Sequence, residues 1–144
     1  MADIARLNIP EGFSEIPPRG PFWRINGPMF KKNSHSGTPP EFAFLPTTDH
    51  CNALGFVHGG MIASILDSSM AQSIFDAHHC KMVTTNLNTT FLNAVARGRW
   101  STVSVTLNQP VDETIRATAT LMSRGRECAN AIGLFKLFPN KNSV

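Results

Sequence analysis

The stretch Asn52-Ala-Leu-Gly55-Phe-Val-His58-Gly59-Gly60-Met-Ile-Ala-Ser-Ile-Leu-Asp67-Ser-Ser-Met-Ala-Gln-Ser-Ile-Phe75 decides how this chain folds. Over residues 60 to 76, Ile62, Ile65, Leu66, Ser69 and Ser73 recur at three- and four-residue spacing, with Ala63, Met70 and Ile74 on the flank. That period is helical. Between Gly60 and Phe75 the only ionisable side chain is Asp67, and a helix apolar on most sides is predicted to be wrapped by other structure, not laid on a surface. His78, His79 and Lys81 close it, where cations suit the carbonyl end.

What lies around the helix is read as extended chain. Downstream, Val83 to Phe91 alternates Val83, Thr85, Leu87, Thr89 and Phe91 against polar neighbours, and Ser101 to Leu107 sets Val103, Val105 and Leu107 against Thr and Ser. Ile115, Ala117, Ala119 and Leu121 repeat the pattern, and Cys128 to Phe138 is a nearly continuous apolar run suited to a central strand. Arg97-Gly98, Asn108-Gln109-Pro110 and Arg124-Gly125-Arg126 have hairpin-like lengths, so a mainly antiparallel sheet is predicted. Upstream, Met29 to Lys32 and Glu41 to Pro46 are short extended candidates separated by turn-forming residues. Residues 1–28 are dense in Pro and Gly and leave room for one helical turn near Phe13 to Ile16, with Phe22 and Trp23 expected to tuck under the fold as a lid. The expected class is α+β: one domain over residues 1–144, a curved, mainly antiparallel sheet wrapped around one long helix. Such a sheet leaves edges and a second face to cover, so self-association is expected.

Composition removes whole classes of function. The 144 residues are 42% hydrophobic and 16% charged, enough to bury a core and too apolar for a disordered chain. The longest apolar segment is broken by Asp67, several Ser and Gln72, so no membrane span is expected. The first residues show no basic region followed by an apolar run, which predicts a protein that is not exported. Three scattered cysteines, Cys51, Cys80 and Cys128, predict no disulfide framework and a reducing, cytoplasmic setting. A net charge of +3 is too mild for a nucleic-acid binder. The balance does tilt after residue 91, where Arg97, Arg99, Arg116, Arg124, Arg126, Lys136 and Lys141 face only Asp112, Glu113 and Glu127. That tilt is either a solvated sheet edge or a means of steering a phosphorylated small ligand.

Three features of the quoted stretch carry chemistry. Gly59-Gly60 leads into the helix, whose first backbone N–H groups lack intrahelical partners, so a carbonyl oxygen becoming an oxyanion can be held there. The plainer alternative is a tight strand-to-helix turn. Asp67 lies about two turns into the helix with no Lys or Arg three or four residues away. Burial of a lone carboxylate should raise its pKa and suit it as a general base or nucleophile; the alternative is a structural Asp capping a loop. Asn52 either orients a ligand or water, or closes an Asx turn. No G-x-S-x-G elbow exists for a serine triad. Neither Asp49-His50-Cys51 nor His78-His79-Cys80 has structural zinc spacing, so no metal is expected.

The pattern N-x2-G-x2-H-G-G-x6-D entering an apolar helix resembles the PaaI-type branch of the hotdog-fold acyl-CoA thioesterases, and family-like order extends over about residues 20 to 138. The resemblance implies a hotdog fold and cleavage of an acyl-CoA to free acid and CoA without metal or organic cofactor. It implies that the Gly59 N–H, with Gly60 beside it, polarises the thioester carbonyl. Asp67 would be the base or nucleophile, supplied across a dimer interface. Asn52 and His58 would position thioester and water, and Thr84 would hold the attacking water. Arg124, Gly125 and Arg126 would meet CoA phosphates, and the assembly would be a homodimer or a homotetramer built as a dimer of dimers. Dehydration, which hotdog hydratases perform with a His and a carboxylate from another helix motif, is a minor alternative. Other classes remain: a non-catalytic acyl-CoA binder or sensor, which would bind CoA ligands without releasing thiol, and a purely structural oligomer, which would do neither.

Overall fold

The computed structural model describes residues 7–32, 35 and 37–140. Strands β1 (Phe13–Glu15), β2 (Phe30–Lys32) and β3 (Glu41–Phe44) and helix α1 (Gly20–Asn26) precede the long helix α2 (Gly59–His78). Strands β4 (Lys81–Phe91), β5 (Ser101–Leu107), β6 (Thr114–Ser123) and β7 (Arg126–Phe138) follow. All seven strands form one antiparallel sheet in the order β1-β2-β3-β5-β6-β7-β4. The α+β expectation holds, with α2 packed on β4, β5, β6 and β7.

The apolar stripe of α2 meets the inward face of the sheet. Ile62, Ile65, Leu66, Met70 and Ile74 are buried against Val103, Val105, Ile115, Ala117, Leu121 and Phe135. Burial of each large aliphatic side chain contributes about 1.5–3 kcal/mol. Two serines inside this apolar packing are satisfied locally: Ser69 Oγ donates to the Ile65 carbonyl at 2.7 Å and Ser73 Oγ to the Ser69 carbonyl at 2.8 Å. A hydroxyl that returns to the carbonyl four residues back leaves neither of these two side chains unpaired. His79 ends the helix in the left-handed conformation (φ 50°), its N–H donating to the Phe75 carbonyl.

Three local readings need correction. First, β4 and β5 do not form a hairpin through Arg97-Gly98; β4 pairs with β7 at the sheet edge, and β5 lies beyond β6, next to β3. The connection carries the chain from one side of the sheet to the other, and loop length alone does not distinguish such a crossing from a turn. Second, Phe13–Glu15 is a strand paired with β2 instead of a helical turn, and the short helix lies later, at Gly20–Asn26. Pro21 sits in the first turn of α1, where its missing N–H is not needed, and Gly27 caps its end, so these residues bound the helix and do not break it. Within it, Trp23 tucks against α2, whereas Phe22 is 49% exposed. Third, a register shift between Thr84 and Asn86 changes which residues of β4 face the helix. Thr84 lies opposite the buried Phe135 and Leu87 opposite Gly133, so Val83 and Thr85 belong to the other face.

Gly133 marks the tightest point of the core. A methyl group there would lie 2.6 Å from the Phe135 ring and 3.1 Å from the Met70 terminal carbon. Gly133→Ala is therefore predicted to lower stability by about 1–3 kcal/mol through overpacking, read by urea denaturation. A variant as stable as the parent would contradict this packing.

Candidate active site at the start of helix α2

The approach to α2 is held by two histidines with different tasks. His50 is buried; its Nδ1 accepts the Thr47 N–H at 2.9 Å and its Nε2 donates to the Asn26 carbonyl at 2.8 Å. Its own carbonyl accepts the His58 N–H at 2.8 Å, so one residue ties α1 to the lead-in of α2. His58 is the N-cap, and its Nδ1 accepts the Gly60 N–H at 2.9 Å. The His58 carbonyl accepts the Met61 and Ile62 N–H groups. Among the described residues the Gly59 N–H is then left without a partner at the positive end of a twenty-residue helix. The Phe91 ring stands 3.6 Å from where a Gly59 side chain would begin, so an aromatic ring lies beside this residue.

Asp67 is half-buried in the single chain, less enclosed than its apolar sequence neighbours suggest. Its Oδ1 accepts the Thr84 hydroxyl at 2.7 Å, and no cation pairs with it among the described residues. The bulge in β4 makes this contact: it turns Thr84 to the helix side, where regular alternation would turn Val83. Gly59 and Asp67 are eight positions apart on one helix, hence about 12 Å along its axis at about 1.5 Å per residue. One thioester carbonyl cannot touch both within a single chain.

Asn52 and the Arg124-Gly125-Arg126 turn take part in local structure. Asn52 Oδ1 accepts the Leu54 and Phe56 N–H groups at 3.0 and 3.3 Å, an Asx turn, which leaves its Nδ2 as the group free for a ligand. In the β6–β7 hairpin Arg124 and Gly125 have φ of 53° and 72°, the conformation of a type I′ turn. Arg126 Nη2 donates to Asn93 Oδ1 at 2.7 Å, two residues beyond Phe91, so the hairpin lies at the end of the sheet that also holds the start of α2.

The sequence singled out neither His50 as a tie nor Phe91 as the neighbour of Gly59. Both contacts join segments far apart in the chain and carry no local signal. His78, His79 and Cys80 diverge, since His79 caps the helix and Cys80 is buried. Among the described residues no three His, Cys, Asp or Glu side chains gather at metal-binding distances, and no helix is long and apolar enough to cross a membrane. The three cysteines are free thiols.

A sheet wrapped on one long helix, entered through a glycine pair, is the hotdog architecture. Residues 54–109, from the turn before α2 to just beyond β5, match the model of the thioesterase superfamily. Over 133 residues the chain is 27% identical to the Pseudomonas aeruginosa protein named "Putative esterase PA0474", covering 91% of this chain and 98% of that one. Among solved structures it superposes on Escherichia coli PaaI, of the phenylacetic acid degradation operon, with a TM-score of 0.72 at 15% identity, covering 83% and 85% of the two chains. A Streptococcus mutans protein solved bound to acetyl CoA gives a TM-score of 0.69 at 14% identity, covering 97% and 99%. The resemblance to PaaI-type hotdog proteins read from residues 52–67 therefore holds for the fold and for the matched segment.

Loss of the His58 cap should be felt in stability. His58→Ala is predicted to destabilise the fold by about 1 kcal/mol, the usual worth of a side-chain N-cap, read by urea denaturation. No measurable change would mean that the ring does not cap α2 in solution.

Proposed function

We propose that the protein hydrolyses the thioester of a small- or medium-chain or aryl acyl-CoA to free acid and CoA. The observation that carries this reading is that, among the described residues, the Gly59 amide has no partner and the Asp67 carboxylate is bound only by the Thr84 hydroxyl. The carbonyl oxygen of the thioester accepts the Gly59 N–H, which stabilises the charge that develops on it. Asp67 takes a proton from water as the water oxygen bonds to the carbonyl carbon, or attacks that carbon itself, in which case water hydrolyses the acyl-aspartyl anhydride left after CoA departs. The tetrahedral intermediate collapses, the carbon–sulfur bond breaks, and CoA leaves as the thiolate. Thr84 fixes the carboxylate by donating to one oxygen, leaving the other for the reaction. The His58 ring and the Asn52 Nδ2 position thioester and water. Arg124 and Arg126, with the tight turn at Gly125 between them, offer cations to the CoA phosphates.

The separation of Gly59 and Asp67 along one helix supports a site shared between two copies, with the amide from one and the carboxylate from the other. Strand β4 supports the same reading. It is a sheet edge with unpaired backbone groups, and Val83, Phe91 and Leu92 on or just after it are each more than half exposed. On the outer face Ile132 is also uncovered, which supports further pairing of dimers. The acetyl CoA held by the Streptococcus mutans neighbour supports CoA as the carrier.

The test is thiol release from a panel of acyl-CoAs by the purified protein. Activity is expected on at least one member, with Asp67→Asn lowering kcat by about a hundred- to a thousand-fold, the range for loss of a general base. Binding of CoA esters with no thiol release above background would make the protein a binder and not an enzyme. An Asp67→Asn variant as active as the parent would remove Asp67 from the chemistry.

A further inference from the structure

An apolar cleft of about 580 Å³ opens between α1, the second half of α2 and the start of β4. We propose that it receives the acyl body of the substrate and that its length selects a medium-length linear chain over an aryl group. This rests on the hydrolase reading above and narrows it. The volume falls within the 300–1,000 Å³ usual for small-molecule sites. The cleft lies near the carboxylate: Ala71, which lines it, stands one turn beyond Asp67 on the same side of α2, and Ser68 is the next residue along the helix.

The outer wall is α1, stapled to α2 at two points. Trp23 Nε1 donates to Ser68 Oγ at 2.8 Å, and the Arg19 guanidinium lies 3.7 Å over the Phe75 ring. The lining is mostly apolar, with Arg19, Ser68, Gln72 and Lys81 as its polar members, and no carboxylate takes part in it. Along α2 it runs from Ser68 to Phe75, seven steps of about 1.5 Å, or about 10 Å. A zigzag hydrocarbon with bonds of about 1.5 Å advances about 1.3 Å per bond, so about eight carbons fill that length. A phenyl ring would span only about half of that length. Ala71, the small residue midway along the wall, leaves the passage open, and Trp23 forms its side.

The experiment compares octanoyl-CoA with phenylacetyl-CoA in thiol release and follows Trp23 fluorescence with octanoate in a Trp100→Phe background. The parent is expected to favour octanoyl-CoA at least tenfold in kcat/KM, and Ala71→Phe to reduce that ratio at least fivefold. Octanoate should change Trp23 emission saturably, and Ala71→Phe should weaken that binding at least tenfold. Should Ala71→Phe not fold, Trp23→Leu, which widens the cleft, is expected to move the optimum to longer chains. A preference for phenylacetyl-CoA, or an identical ratio in parent and variants, overturns the assignment. So does a change of molecular mass in Ala71→Phe with the ratio intact, which would make a second copy of the chain the occupant. If no CoA ester releases thiol while the octanoate signal persists and responds to Ala71→Phe, the cleft assignment stands and the hydrolase reading fails.

Discussion

A single rigid helix carries both the Gly59 amide and the Asp67 carboxylate, and its geometry holds them about 12 Å apart. Among the described residues the amide has no partner, since His58 and its carbonyl take the N–H groups that follow it, and the carboxylate is held by one hydroxyl from β4. Neither group can move toward the other without unwinding a helix whose inner face is packed into the core. Gly59 opens this helix and Asp67 lies near its middle, so the helix alone fixes their spacing.

Much of the fold was legible because α2 and the later strands have clean periods. The stripe Ile62, Ile65, Leu66, Ser69, Ser73 and the β6 set Ile115, Ala117, Ala119, Leu121 are buried as their spacing predicts. Local signal failed where tertiary pairing decides. The nine residues linking β4 to β5 read like a turn, although the pairing of β4 with β7 takes the strand to the far edge. The bulge at Thr85 has no signature in an alternating Thr- and Asn-rich strand, and it reverses which side chains face inward. In the N-terminal segment, Pro and Gly density concealed a short helix, since Pro21 and Gly27 occupy positions where a helix accepts them.

The candidate site was legible as residue types and less so as contacts. An Asp alone in an apolar helix and a glycine pair at its start are visible in the sequence, and both stand where the pattern predicts. The partners are not visible. Asn52 spends its carbonyl oxygen on its own turn, His50 ties α1 to the lead-in of α2, and Thr84 reaches Asp67 only through the bulge. The full desolvation expected of Asp67 is not reached in one chain, where it is half-buried.

Mixing two inactive variants tests the shared site most directly. Gly59→Pro removes the N–H at the first helical position, where proline is tolerated, and Asp67→Asn removes the carboxylate. If each site joins the amide of one copy to the carboxylate of another, co-refolded equal amounts regain about a quarter of parental thiol release, because half the dimers are mixed and each has one intact site. Activity in the mixture no higher than in the separate variants, while each variant folds and pairs normally, would contradict the account.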